Sequence, residues 1–247
     1  MSSSTYAESL ASGSTSRLVP TPAASPEERP LDRPRRALWA WSGIAAGVAG
    51  AAATFLGPQT SSEDVTSGGA EAVWRSLHDQ TTVRIGASVG FLATALLLVF
   101  AVGFSRWLEE HLPSRSLVPA AVRMGLTGSV GALVVSYGFK AMLAGGMPGG
   151  IDHAMYTHSD VSALLIITGQ IQWLGWMGVA FALAATAAAV LRGRVLPLWI
   201  GILAALNSLA VAVMTLAFAL PYSAGVLSPI VLALLGVTLV ASRKAQR

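Results

Sequence analysis

Six apolar runs separated by polar stretches occupy most of the chain between Leu38 and Ala241. An α-helix rises about 1.5 Å per residue, so roughly 18 or more apolar residues in a row are long enough to cross a hydrocarbon core about 30 Å thick. A soluble core helix does not need runs of that length. Charged residues make up only 11% of the chain and hydrophobic ones 53%, against roughly 25% charged in soluble domains. The expected fold class is therefore all-α: a polytopic membrane helix bundle with six transmembrane helices and a disordered N-terminal tail. Spans are expected at about 38–56, 83–104, 120–143, 170–191, 196–220 and 225–241.

Residues 1–36 are rich in Ser, Thr, Pro and Ala, with too few bulky apolar side chains to offset the entropy of ordering the backbone. They read as a disordered cytoplasmic tail ahead of a six-helix transmembrane domain over 37–242, with 243–247 a short cytoplasmic C-terminal tail. A signal peptide is the competing reading of Arg35, Arg36 and the run after them. That run exceeds the core of about 7–15 residues typical of a signal and no small-x-small site follows it, so an uncleaved anchor is expected. The fourth apolar run, Val161 to Leu191, is too long for one upright helix, which predicts either a tilted span or an interfacial turn followed by a span. Trp173 and Trp176 are placed near the headgroups. Ala70 to Leu77 reads as a short amphipathic helix on the membrane surface.

Lys and Arg set the threading. With the N-terminus inside, the inner side takes Arg29, Arg33, Arg35, Arg36, Arg106, Arg115, Arg123, Arg192, Arg194, Arg243, Lys244 and Arg247. The outer side takes only Arg75, Arg84 and Lys140. This asymmetry follows the positive-inside rule and predicts a multi-pass protein of the bacterial cytoplasmic membrane with both termini cytoplasmic. The basic residues form no stripe suited to a phosphate backbone, so nucleic acid is not an expected partner. The lipid bilayer is one, with a membrane-protein partner or a second copy of the chain as further candidates. Three spans on either side of the central loop would be related by inversion, as in many secondary transporters, but the two halves share no specific sequence echo.

Candidate chemistry gathers in that central loop. Asp152, His153, His158 and Asp160, with His78 from another outer loop, offer imidazoles and carboxylates suited to a divalent metal such as zinc at the outer face. No other cofactor is expected. His153 and His158 are five apart and diverge on a regular helix, so they converge only if the Gly-rich segment before them bends back; a solvated polar loop is the plainer reading. Lys140 is an ionisable residue inside an apolar run, a functional candidate by default, although so near the end of its span it can instead snorkel to the headgroups. Lys140, Gln170, Gln172 and Asn207 are the candidate lining of a polar pathway. Ser136, Tyr137 and Ser208 are further buried polar groups that interhelical hydrogen bonding would explain. Gly43 with Gly47, and Gly86 with Gly90, are small-residue pairs that allow close helix approach. The chain has no cysteine, which removes disulfides, thiolate metal sites and cysteine nucleophiles. No P-loop, G-x-S-x-G or H-E-x-x-H motif is present.

The segment Ser76 to Phe100, SLHDQTTVRIGASVGFLATALLLVF, together with the six-span layout and the Ser/Pro-rich basic tail, resembles the uncharacterised multi-span integral membrane proteins of actinobacteria. The resemblance implies the architecture and carries no activity and no site residues. Three functions stay open: a non-enzymatic membrane-embedded accessory or interaction protein, a small-solute or ion transporter, and an outer-face metal-binding protein or metal-dependent hydrolase. The absence of a catalytic constellation and of acidic residues within the spans favours the first.

Overall fold

The structure is a computed structural model that describes residues 38–58, 69–220 and 222–245, with side chains described as far as 242. The tail expected over 1–36 lies outside these residues, as do Glu63, Asp64 and the side chains of 243–247. Within the described residues the chain is helical: α1 Leu38–Phe55, α2 Gly69–Ser76, α3 Gln80–His111, α4 Val118–Gly146, α5 His158–Leu174, α6 Met177–Gly193, α7 Leu198–Phe218 and α8 Tyr222–Ala245. Six segments are long and apolar enough to cross a membrane, α5 and α6 counting together as one span of 158–193. The chain is thus an integral membrane helix bundle. The start of α1, the end of α8 and the loops at 112–117 and 194–197 share one end, called proximal here; residues 56–58, 69–79 and 147–157 lie at the other, distal end.

Helix α1 packs closely against α3 and α8. It can do so because its buried face is made of glycine, alanine and small polar residues, Ala40, Gly43, Ala46, Gly47, Gly50, Ala53 and Thr54. A Cβ at Gly43 would meet the Phe100 ring of α3 at 2.4 Å, and one at Gly47 the Pro229 carbonyl of α8 at 2.4 Å. Backbone approach of this kind is what holds helices together in lipid, where apolar burial alone gives little preference for a neighbouring helix over acyl chains. Large apolar side chains, among them Leu198, Leu206, Leu209 and Phe218 of α7, point outward, as they must toward a hydrocarbon solvent.

Two features shape the distal end. First, the fourth apolar run is a pair of helices that meet at Gly175 and Trp176, so the boundary expected near residue 170 falls inside α5, which begins at His158. A capping box starts α5: the Thr157 hydroxyl accepts from the Asp160 amide, and the Asp160 carboxylate accepts from the Thr157 amide at 2.8 Å. At the break, the Val179 amide donates both to the Trp176 carbonyl at 3.1 Å and to the Ser129 hydroxyl of α4 at 2.9 Å, so a neighbouring helix reinforces the first turn of α6. Second, α2 lies over the start of α5. Val73 and Leu77 enter a small apolar cluster with Leu143, Met147, Val161 and Leu164, and the Trp74 ring stacks on the His158 imidazole at 4.4 Å.

Candidate functional site: a buried lysine beside a distal cavity

Lys140 lies in the second-last turn of α4, and its side chain does not snorkel outward: it is 1% exposed. Its stem turns inward past Gly86 of α3, where a Cβ would sit 3.1 Å from the lysine Cε and 2.1 Å from the Leu56 carbonyl oxygen. Only glycine leaves room there for both. The amine then donates to the Ala53 carbonyl of α1 at 2.6 Å. Ala53 belongs to the last turn of α1, whose carbonyls have no intrahelical donor and carry the negative end of the helix dipole. Placing a cation at that terminus is favourable, which is why an inward lysine is tolerated here.

Lys140 forms one wall of a cavity of about 530 Å³ at the distal end. The α1 side is Thr54, Phe55, Gly57 and Pro58; the α5 side includes Leu165, Ile166, Thr168, Gly169, Gln170, Gln172 and Trp173. Helices α1 and α5 are not among the principal packing pairs of the bundle, and the cavity occupies the space between them. Phe55 and Ile166, 66% and 53% exposed, flank it. A volume of this size lies in the range of small-molecule sites, roughly 300–1,000 Å³.

The polar groups around it are short of partners. Thr168 and Gln172 are both buried, and among the described residues neither the Thr168 hydroxyl nor the Gln172 side-chain oxygen has a hydrogen-bond partner. One turn toward the proximal end the Ser136 hydroxyl is likewise without a partner among the described residues, while the Tyr137 hydroxyl lies within reach of the Thr54 and Trp176 side chains, which partner it. Buried polar groups normally find partners, and an unsatisfied one costs about 1–3 kcal/mol. Two in the wall of one cavity, Thr168 and Gln172, therefore point to a site that something polar fills. Among the described residues no Asp or Glu lines it, so Lys140 faces no carboxylate there.

The residues singled out from sequence divide between this site and elsewhere. Lys140, Gln170 and Gln172 come together; Asn207 does not, being buried on α7 with its amide nitrogen 3.4 Å from the Ser228 hydroxyl of α8. The candidate metal ligands are dispersed. The His153 Nδ1 lies 2.9 Å from the Gly150 carbonyl, the His158 Nδ1 pairs with Glu71 of α2, and Asp160 is engaged in the capping box. Asp152 faces a separate groove with Gln80 and Arg84, and His78 is exposed. Among the described residues no group of three or more His, Asp or Glu is placed to hold a metal ion. The physical reason is that His158 belongs to the first turn of a helix that α2 covers, while His153 sits in a separate single turn, His153–Met155.

Sequence reasoning passed over Thr54, Thr168 and Trp176 as site residues. Helical spacing carried part of the signal: Thr168 and Gln172 are four apart on α5, Ser136 and Lys140 four apart on α4, and each pair shares a face. Trp176, expected at the headgroups, is fully buried. The break before α6 turns it inward onto Gly50, where a Cβ would come within 2.2 Å of its ring. No protein-family model, no curated protein and no solved structure matches the chain, so it is the site's own chemistry that bears on function.

Proposed function

We propose that this protein is a non-enzymatic, multi-pass binding protein of the bacterial cytoplasmic membrane, with both termini on the cytoplasmic side, whose distal cavity holds a small ligand. The observation that carries the reading is the combination of a lysine 1% exposed with unpartnered Thr168 and Gln172 oxygens around about 530 Å³ of space. A route across the membrane through Lys140, Gln170, Gln172 and Asn207 has less support. Asn207 lies apart, and proximal to the cavity the bundle is filled by Trp176 and by Phe100, Phe104, Leu126, Val179 and Leu183.

The test uses Gly169, which lines the cavity and where a Cβ meets nothing within 4 Å. Gly169→Phe fills the site without removing any polar group. Native mass spectrometry of the full chain, extracted from its own membrane in mild detergent, is expected to show a stoichiometric non-protein mass on the wild type and none on Gly169→Phe. An identical spectrum for both proteins would refute the reading. Sidedness is tested separately: because the chain has no cysteine, single Ser114→Cys and Ala154→Cys variants report it by labelling intact cells with an impermeant maleimide. Only Ala154→Cys is expected to react.

A further inference from the structure

Resting on that reading, we propose that the ligand is an amphiphile with one anionic oxygen headgroup, a carboxylate or phosphate, carried on an apolar chain, and that it enters sideways from the bilayer between α1 and α5. The headgroup follows from the donors and acceptors. A lysine amine has three N–H donors; Lys140 uses one on the Ala53 carbonyl and has two left. Thr168 adds a hydroxyl, and the Gln172 amide adds N–H donors once turned over. A neutral acceptor would leave the lysine charge uncompensated in a low-dielectric site, whereas a carboxylate or phosphate pairs with it and takes the remaining donors. Among the described residues no lining acid competes for that place.

The apolar chain follows from the surroundings of the cavity. Leu165, Ile166, Phe55 and Trp173 flank it, and they project from two transmembrane helices, α1 and α5, that do not close on one another. A water-soluble anion makes no use of that gap. An amphiphile buries its head against Lys140 and leaves its tail between Phe55 and Ile166, which are exposed where the bundle meets lipid.

The experiment measures binding by thermal shift and native mass spectrometry on the delipidated full chain, with four probes: oleate, oleoyl lysophosphatidate, uncharged monoolein with the same chain, and inorganic phosphate. At least one acyl anion is expected to bind at least about tenfold more tightly than monoolein, the factor that one charge-assisted hydrogen bond provides. Lys140→Met should remove that difference, weakening the acyl anions far more than monoolein. Should Lys140→Met fail to fold, Thr168→Val with Gln172→Leu keeps the lysine and is expected to weaken the acyl anions selectively. Equal binding of monoolein and the acyl anions would overturn the anionic class while leaving a ligand-binding protein. Phosphate binding as tightly as lysophosphatidate would overturn the acyl chain and lateral entry. If no probe binds the wild type but the acyl anions bind a Glu63→Gln/Asp64→Asn variant, the lysine is matched by the chain's own carboxylates and the proposal is wrong. Binding of no probe to any variant, with no mass difference for Gly169→Phe, would remove both the proposal and the reading beneath it.

Discussion

Lys140→Met in the ligand-free protein separates a lysine kept for a ligand from one kept to clamp helices together. The substitution removes the 2.6 Å bond to the Ala53 carbonyl, a hydrogen bond to a charged group that contributes about 1.5–3 kcal/mol, and a favourable helix-terminus interaction of about 0.3–1 kcal/mol. Against this it removes an ammonium that is 1% exposed, whose burial costs several kcal/mol. Methionine refills most of the stem's path beside Gly86, and the adjoining cavity of about 530 Å³ gives water room to reach the vacated carbonyl. The opposing terms nearly cancel, so the expected net change is within about 1 kcal/mol, or a melting-temperature shift of no more than about 4 °C. Thermal unfolding followed by tryptophan fluorescence, with wild type and variant in the same detergent after delipidation, measures it. A loss of more than about 3 kcal/mol, the cost of breaking a buried pair, would show that Lys140 is a structural clamp and that its place beside the cavity is incidental.

Two other perturbations test the packing and the distal end. The same Gly→Ala change should act in opposite directions at two sites: at Gly86, where a Cβ meets the Leu56 carbonyl at 2.1 Å, a loss of about 1–3 kcal/mol from overpacking is expected, and at Gly169, with open space, a gain of about 0.5–1 kcal/mol from helix propensity; thermal unfolding of both variants in one detergent checks the signs. Asp79 caps α3 by accepting from the Thr82 amide at 2.9 Å, and the Thr82 side chain, followed by that amide, holds its carboxyl below the usual range. Because the folded-state value is depressed, the cap's contribution is fully present above the ordinary carboxylate range and is lost as pH falls through the lowered value. Amide hydrogen exchange at residues 80–83, corrected for intrinsic rates, should quicken on that descent in the wild type and not in Asp79→Asn, since asparagine caps comparably without titrating.

The helices were legible because length and composition suffice: 18 or more apolar residues have few alternatives in lipid. Their ends were less so. Helix α3 runs on to His111, beyond the expected limit of 104, because Trp107 and Leu108 in that extension are buried in the core, with Arg106 and Glu110 pairing at i,i+4 on its exposed side; charge ends a hydrophobic run without ending a helix. At α5 the start was written in the sequence as Thr157-x-x-Asp160, a capping signal a few residues ahead of the apolar run. The site was harder to read. Lys140 was visible as an anomaly, but its inward turn depends on Gly86 and on the Ala53 carbonyl, both on other helices. The cavity exists because α1 and α5 fail to pack, a property of neither segment alone. His153 and His158, near in sequence, are set apart by a helix start at His158, and the partner of that side chain, Glu71, is 87 residues away.

Trp176 decides between a blind cavity and a path. It lies one turn proximal to Gln172, fully buried, with its ring on Gly50 and its side chain beside the Tyr137 hydroxyl. If the cavity is blind, Trp176 is only the uppermost layer of its floor: below it Phe100, Phe104, Leu126, Val179 and Leu183 close the bundle, with no room for a water molecule between them. Trp176→Ala is then expected to lower stability by about 3–5 kcal/mol, as large-to-small core changes do, and to deepen the site without letting any solute cross. If Trp176 is instead a gate, the same variant joins the cavity to the proximal side and proteoliposomes leak. Chloride and acetate efflux from vesicles reconstituted with wild type, Trp176→Ala and Trp176→Ala/Lys140→Met measures the difference. Tight vesicles in all three would keep the cavity a binding site; efflux that appears in Trp176→Ala and disappears when Lys140 is also removed would make the lysine part of a conduction route. The stacked side chains below Trp176 make the first outcome the expected one, since opening a path there requires displacing two phenylalanines that pack ring to ring at 5.2 Å.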